Sequence, residues 1–490
     1  MKEFKQLAGQ TLIYGLGTML PRFLNYILLT VYFTNTLFND YISEYGKVTE
    51  LYAYIAFLMV VLTYGMETTY FRYATKIKDR NRVFSSIQTL MFTTTIIFLG
   101  SILIFTQPIA DALKYSGESY FIRLLALILS VETLSAIPFA KLRIENRPRK
   151  FAILKIIQVS INIILLLGIY NIFPAVTGST SFILNAEGII SSRFIFISNL
   201  IASSVVLFLL LPELKGYSLK AFDKNLVRPL LIYGLPLMVS GLAGVINETL
   251  DRMVYKHIVQ GKQALIDLGI YGANYKIGGL LLIFIQMFRY AAEPYFFNKS
   301  KEKDSKRQYA ALMNIFVGVV LFMGLIILLF LDIFQYFIGA NFREGLFVVP
   351  YIVLAYVFSG ILFNLSVWYK LTNMTFYALI IMLVGATITV VINFVFVPVH
   401  GYKASAIAHL ISAISMVILS YILSRKYYAV EYYVIRIASY LIFSILIYIV
   451  AHFLQTENVF IDFIFRGLLV LLFVIFVAWK EKIIPKRFIK

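Results

Sequence analysis

Cysteine is absent from all 490 residues, which removes disulfides, thiolate metal sites and thiol nucleophiles from consideration. Histidine occurs only at His257, His400, His409 and His452, without ligand spacing, so His400 and His409 read as interfacial side chains and no metal is expected. Charge is scarce: charged residues make up 14% of the chain and hydrophobic ones 60%, a balance that excludes an ordinary soluble protein and a disordered one. No P-loop or other nucleotide signature is present, so an ATP-driven pump is not expected. Met1 to Gln10 leads into an apolar run too long for a signal h-region, so the first helix is expected to be retained rather than cleaved as a secretory signal. The formal charge of +19 does not point to nucleic acid, since the basic residues fall in short connections between apolar runs.

What is abundant is the apolar run itself. Runs of about 20 residues match the hydrocarbon thickness of a bilayer at 1.5 Å rise per residue. They predict fourteen helices, over about 11–33, 46–71, 84–106, 119–140, 151–173, 189–212, 229–254, 269–297, 309–331, 346–370, 375–397, 404–424, 433–452 and 462–480. The even-numbered connections hold most Lys and Arg, in "RYATKIKDRNR", "KLRIENRPRK", 213–228 and "NKSKEKDSKR", with the basic tail "KEKIIPKRFIK". The weakest of them, near 370–375, contributes only Lys370; the odd connections hold Lys114, Lys256, Lys262, Arg343 and Lys403. This asymmetry places both termini in the cytoplasm. The longest outer loop, roughly 174–188, is too small for a folded domain, which leaves little room for an enzyme whose site lies in a loop.

A long internal repeat is visible. "YGL" at Tyr14–Leu16 recurs at Tyr233–Leu235, and Tyr45, Gly46, Tyr64 and Glu67 align with Tyr271, Gly272, Tyr290 and Glu293 at one common offset. Six helices separate the copies, an even number, so the halves share one orientation and a site is expected between them. The expected lobes are 1–212 and 229–424, joined by the basic linker 213–228, with 425–490 adding helices thirteen and fourteen and the tail.

Charges inside apolar runs mark candidate sites. Arg22 lies near mid-depth of the first helix, and Gly15, Thr18, Arg22 and Asn25 share one face. Such a stripe predicts a cavity-lining cation, with Pro21 bending the helix beside it. Helix eight offers Lys276, Gln286 and Arg289; Arg289 could instead pair with Glu293 four residues on, and both readings stay open. Glu67 and Glu293 sit near the inner third, where gating and ligand contact are equally open. Glu132 lies deep in helix four without an intrahelical cation, so a cross-helix pair with Arg22 or Arg289, or a proton- or cation-coupling role, is expected. Asn247, Glu248, Asp251 and Arg252 fall close to the outer end of helix seven, where i, i+4 pairs can satisfy one another; they read as an outer gate.

Three stretches carry a family resemblance. "YGLPLMVSGLAGVINETLDRMVYKHI" resembles the seventh-helix signature of the polysaccharide flippases, and "GIYGANYKIGGLLLIFIQMFRYAAEPYFF" is similar to their eighth helix. "VINFVFVPVHGYKASAIAHLIS" resembles their element joining helices eleven and twelve, with Lys403-Ala404-Ser405-Ala406 in place of the usual Gly-Ala-Ala. The likeness is to the O-antigen-type flippase branch of the multidrug/oligosaccharidyl-lipid/polysaccharide exporter superfamily and covers nearly the whole chain. It implies an all-α, MATE-like polytopic membrane protein: two six-helix lobes around a cavity open alternately to each side, plus two C-terminal helices that in relatives can support a groove for an isoprenoid tail. It implies a non-enzymatic flippase of an undecaprenyl-diphosphate-linked oligosaccharide in the bacterial inner membrane, serving polysaccharide (O-antigen, lipopolysaccharide) biosynthesis. Partners would be that substrate, the bilayer and polysaccharide assembly proteins. No cofactor is implied, and whether sodium or a proton is coupled stays open. A diphosphate head group needs cations, and arginine meets it with a bidentate fork. A cation-coupled multidrug exporter and a membrane-embedded sugar-lipid polymerase or transferase are the alternatives; acidic cavity residues would favour the first and a large catalytic loop the second.

Overall fold

In lipid every backbone N–H and C=O must find its partner inside the segment, so long apolar runs fold as helices. The computed structural model describes residues 26–185, 187–299, 304–372, 374–454 and 458–481. Among them thirteen helices are long and apolar enough to cross a membrane. A shorter apolar helix, α1 (Tyr26–Leu37), precedes α2 (Ile42–Lys76), α3 (Arg80–Ile104), α4 (Tyr120–Ile144), α5 (Pro148–Thr177), α6 (Arg193–Leu214) and α7 (Lys224–Ile258). Then follow α8 (Gln263–Lys299), α9 (Ser305–Leu329), α10 (Ala340–Leu371), α11 (Phe376–His400), α12 (Tyr402–Tyr427), α13 (Val434–Phe453) and α14 (Val459–Lys480). The described residues contain no β-strand, only an isolated antiparallel bridge between Leu184 and Ile190. The protein is an all-α, multi-pass membrane protein, as the apolar runs predict.

Local chemistry sets the ends. Asp79 caps α3 by accepting from the Arg82 N–H at 3.1 Å, and Asp223 caps α7 by accepting from the Asn225 N–H at 2.9 Å. Asn458 accepts from the Phe460 and Ile461 N–H groups at the start of α14, satisfying donors that have no intrahelical partner. Two helices outrun the sequence expectation: α7 has 35 residues and α8 has 37, against the ~20 that span a bilayer core. Both therefore carry polar turns beyond the apolar stretch. Helix α2 begins at Ile42 rather than 46, which adds Glu44 to its first turn.

The chain falls into two compact units. The first holds the chain up to Phe33 together with Asp40–Gly269; the second holds Thr34–Asn39 and the chain from Ile270. In the first, α4 packs on α3 and α6, α5 on α6, and α7 on α2. Close backbone approach explains a break in α2. Tyr64 and Gly65 have φ of 30° and 74°, and a Cβ on Gly65 would stand 2.5 Å from the Gly234 carbonyl oxygen of α7. A Cβ on Gly234 would in turn meet the Tyr64 carbonyl oxygen at 2.8 Å. Small residues are what let helices approach this closely in a membrane, so "YGL" in α7 is a crossing point. In the second unit α10 packs on α9 and α12, α11 on α12, and α13 on α9 and α14. Its core is aromatic: Trp368, Tyr309, Tyr356 and Tyr440 are fully buried.

Candidate functional site

In the second unit, Arg289 of α8 is exposed, with its guanidinium carbon 5.4 Å from the centre of the Phe363 ring of α10. No carboxylate among the described side chains pairs with it at ion-pair distance. A ring attracts a cation through its quadrupole but leaves its charge intact. Lys276 and Gln286, on the same helix, are half-buried and hydrogen-bonded or otherwise engaged. Arg22, Asn25 and the Glu293 side chain lie outside the described residues. Lys370 was counted in the sequence only as a weak topological cation; its Nζ lies 5.3 Å from the same Phe363 ring.

The second unit also contains a cavity of about 690 Å³ between α9, α10 and α13, lined by Leu321, Leu325, Val353, Leu354 and Tyr448, and by Arg466 of α14. Arg466 is itself paired with Asp332 at 2.9 Å and with Asp462, and donates to the Leu329 carbonyl at 2.8 Å. The cavity lining is mostly hydrocarbon, and the one arginine in it is paired with carboxylates. Such a space suits an apolar chain better than an anion.

In the first unit Glu132 joins a hydrogen-bonded series. Ser203 of α6 donates to its Oε1 at 3.1 Å, Gln158 of α5 donates to Ser203 at 3.0 Å, and Lys155 donates to Gln158 at 3.2 Å. Asn199 extends the series to the Tyr52 hydroxyl of α2 at 2.9 Å. Lys155 is the cation whose field reaches both Glu132 and Glu67; Arg143 reaches Glu67 as well. Lys155 also lies over the Phe139 ring at 4.2 Å.

Asn247 and Asp251 are buried on α7, while Glu248 and Arg252 are half-buried. Arg252 donates to the Glu248 carbonyl oxygen at 2.6 Å and lies 3.5 Å from the Asp251 carboxylate. Its field also reaches the hydroxyls of Tyr26 and Tyr45. One turn further on is a denser cluster that the sequence reading did not single out. Lys256 pairs with Glu50 of α2 at 2.9 Å, Tyr115 donates to Glu50 at 2.7 Å, and the Lys256 Nζ stands 3.4 Å from the Tyr115 ring centre. Lys114 donates to the Lys256 carbonyl at 2.9 Å. Burial, and then the Glu50 carboxylate, push the Tyr115 hydroxyl well above the ordinary tyrosine range. Beside this, Lys47 bridges Glu44 and Glu118 at 2.7 Å each, and Ser192 donates to Glu44 through its N–H and its hydroxyl. The signal was in "SEYGKVTE", whose charges alternate in sign every three residues, but the partners at 114–118 and 256 are remote in sequence.

Among the described residues no group of three or more His, Cys, Asp and Glu side chains is placed to hold a metal ion. The fold itself is shared with known transporters. The lipid II flippase MurJ in an inward-closed conformation superposes with a TM-score of 0.71 at 14% identity, over 96% of this chain and 99% of that one. A multidrug resistance MATE family transporter of the MOP superfamily matches in its inward-facing conformation with a TM-score of 0.62 at 15% identity, over 81% and 93%. An outward-facing conformation of a multidrug resistance MATE family transporter gives 0.55 at 15% identity, over 88% and 94%. No curated protein matches the chain in sequence at a significant level. The profile of the family described as "Polysaccharide biosynthesis protein" matches residues 7–299. That match covers more than half of the chain, and the chain belongs to the polysaccharide biosynthesis protein family.

Proposed function

We propose that this protein flips an undecaprenyl-diphosphate-linked oligosaccharide across the bacterial inner membrane for polysaccharide biosynthesis, O-antigen included, with both termini cytoplasmic. The observation that carries this reading is Arg289: an exposed guanidinium in an apolar helix, held against the Phe363 ring and with no carboxylate at ion-pair distance among the described side chains. A head group with two phosphates is the anion such a cation suits, and the guanidinium fork can grip it bidentately. The apolar cavity of the same unit supports a hydrocarbon tail as the other half of the ligand. Arg22, Asn25, Lys276 and Gln286 would complete the polar contacts, Glu67 and Glu293 would act near the inner end, and two repeat-related lobes would rock around the head group without covalent chemistry.

The test is translocation in proteoliposomes, read as lectin-accessible lipid-linked oligosaccharide on each face. Arg289→Ala and Arg22→Ala are expected to abolish it while the proteins remain folded; normal translocation in both would sink these roles. At the outer gate, replacing Glu248 and Arg252 together by alanine is expected to alter closure more than head-group affinity.

A second reading, a cation-coupled exporter of the same superfamily, draws on Glu132, whose carboxylate accepts from a neutral hydroxyl within a polar series crossing α2, α4, α5 and α6. Cation-driven dye efflux that disappears in Glu132→Gln would favour it. Lipid-linked glycan translocation that persists without a cation gradient would exclude coupling at Glu132.

A further inference from the structure

The first three turns of α7 have two faces of different character. On one, Leu230 is buried and Gly234 stands against α2, from which the Tyr73 hydroxyl donates to the Pro229 carbonyl at 3.2 Å. On the other, Lys224, Val227, Arg228, Leu231, Ile232 and Leu235 line a groove of about 570 Å³ that reaches Pro236. These side chains all come from α7 itself, at the spacings that put residues on one helix face. Ile232 is 63% exposed and Leu235 42%, so this face is turned away from the protein. Lys224 and Arg228 are also exposed, and among the described side chains no carboxylate lies at ion-pair distance from either. Asp223, the acid next to them in sequence, is committed elsewhere: it pairs with Arg82 and caps the helix by accepting from the Asn225 N–H at 2.9 Å. Like charges one turn apart on a helix repel. An anion that touches both is attracted to each and screens one from the other.

We propose that this groove binds one acidic phospholipid of the surrounding leaflet, its phosphate on Lys224 and Arg228 and an acyl chain along Leu231, Ile232 and Leu235. Length supports this occupant. From Lys224 to Leu235 the helix rises about 16 Å at 1.5 Å per residue, close to half of a hydrocarbon core of ~30 Å. The track is therefore one leaflet deep, with both charges at one end and hydrocarbon over the rest. Charge selects the head group. A choline or ethanolamine head would bring its ammonium against two cations, whereas a glycerol head leaves the phosphate uncompensated until they meet it. The groove also lacks a neutral hydrogen-bonding side chain, so the sugars of a lipid-linked oligosaccharide would find no partners in it. The occupant does not depend on the flippase reading; the topology proposed above only names its leaflet as the cytoplasmic one. A lipid held there covers the face of α7 opposite the Gly65–Gly234 crossing.

The experiment places a reporter in the groove. The full-length Ile232→Trp protein is reconstituted in phosphatidylcholine vesicles carrying the same small mole fraction of either brominated phosphatidylglycerol or brominated phosphatidylcholine, whose acyl bromines quench tryptophan on contact. The native Trp368 is fully buried and Trp479 half-exposed, and their signal is subtracted with the wild-type protein. Quenching is expected to be markedly stronger with brominated phosphatidylglycerol. Lys224→Gln and Arg228→Gln, each added to Ile232→Trp, should weaken that preference about fivefold, and the two together should abolish it. Lys306→Gln removes an exposed cation that lies on the Tyr428 ring of the second unit and should leave the preference unchanged. Thermal unfolding of each variant checks that it is folded. Equal quenching by the two lipids overturns the proposal, as does a preference that survives loss of both cations or that falls equally in Lys306→Gln. Complete displacement of brominated phosphatidylglycerol by farnesyl diphosphate at equal mole fraction would assign the groove to a diphosphate-linked substrate and overturn it as well.

Discussion

Lys256 and Arg289 are both cations in apolar helices, and the protein treats them in opposite ways. The Lys256 side chain is 5% exposed and faces a Glu50 carboxylate that is fully buried. Arg289 is exposed, and among the described side chains the group it meets is the uncharged Phe363 ring. Removing a charge from water costs several kcal/mol unless a partner compensates it, so the first arrangement describes a charge committed to holding α7 against α2. The second describes a charge kept available. A cation's burial and partner, rather than its presence in an apolar run, separate scaffold from site.

The comparison breaks most easily at Glu50. Glu50→Ala leaves Lys256 buried without its carboxylate, against the Tyr115 ring alone, and is expected to destabilise the protein by about 3–5 kcal/mol, seen as a large fall in the detergent melting temperature. Replacing Glu50 and Lys256 together by Leu and Met should recover most of that stability, since a well-packed apolar pair often equals a buried ion pair. If the single change costs nothing, Lys256 is not a structural cation. Arg289→Ala should do the reverse, abolishing transport while shifting stability by no more than about 0.5 kcal/mol, as befits an exposed side chain.

How much of this could be read from the sequence follows from range. The pattern of apolar helices was legible because each span is a local property of about 20 residues. Arg289 stood out because a cation in an apolar run is rare. The Glu50–Lys256–Tyr115 cluster did not, since its members come from α2, the 105–119 connection and α7, and each looks like an ordinary helix-end charge alone. The break at Tyr64–Gly65 was invisible because one glycine in an apolar run reads as a tolerated residue until the crossing at Gly234 is known.

That crossing gives an intermediate effect. Gly234→Ala puts a methyl 2.7 Å from the Met66 side chain and 2.8 Å from the Tyr64 carbonyl oxygen. The methionine can move but the carbonyl cannot, so a loss of about 1–3 kcal/mol is expected, without the reversal by a second substitution that marks the ion pair. A wild-type melting temperature in Gly234→Ala would mean that α2 and α7 do not approach as closely as the geometry requires.

The smallest effect tests the rule from the other side. Lys262 and Glu187 lie 3.7 Å apart, with side chains 89% and 61% exposed, so water already solvates both and salt screens what attraction remains. Lys262→Ala should leave melting temperature and transport unchanged within error at physiological salt. It is an ion pair by distance, as Lys256–Glu50 is, and differs from it chiefly in burial. A measurable loss in Lys262→Ala would show that distance rather than burial sets the value of these pairs, and the contrast between Lys256 and Arg289 would then need another cause.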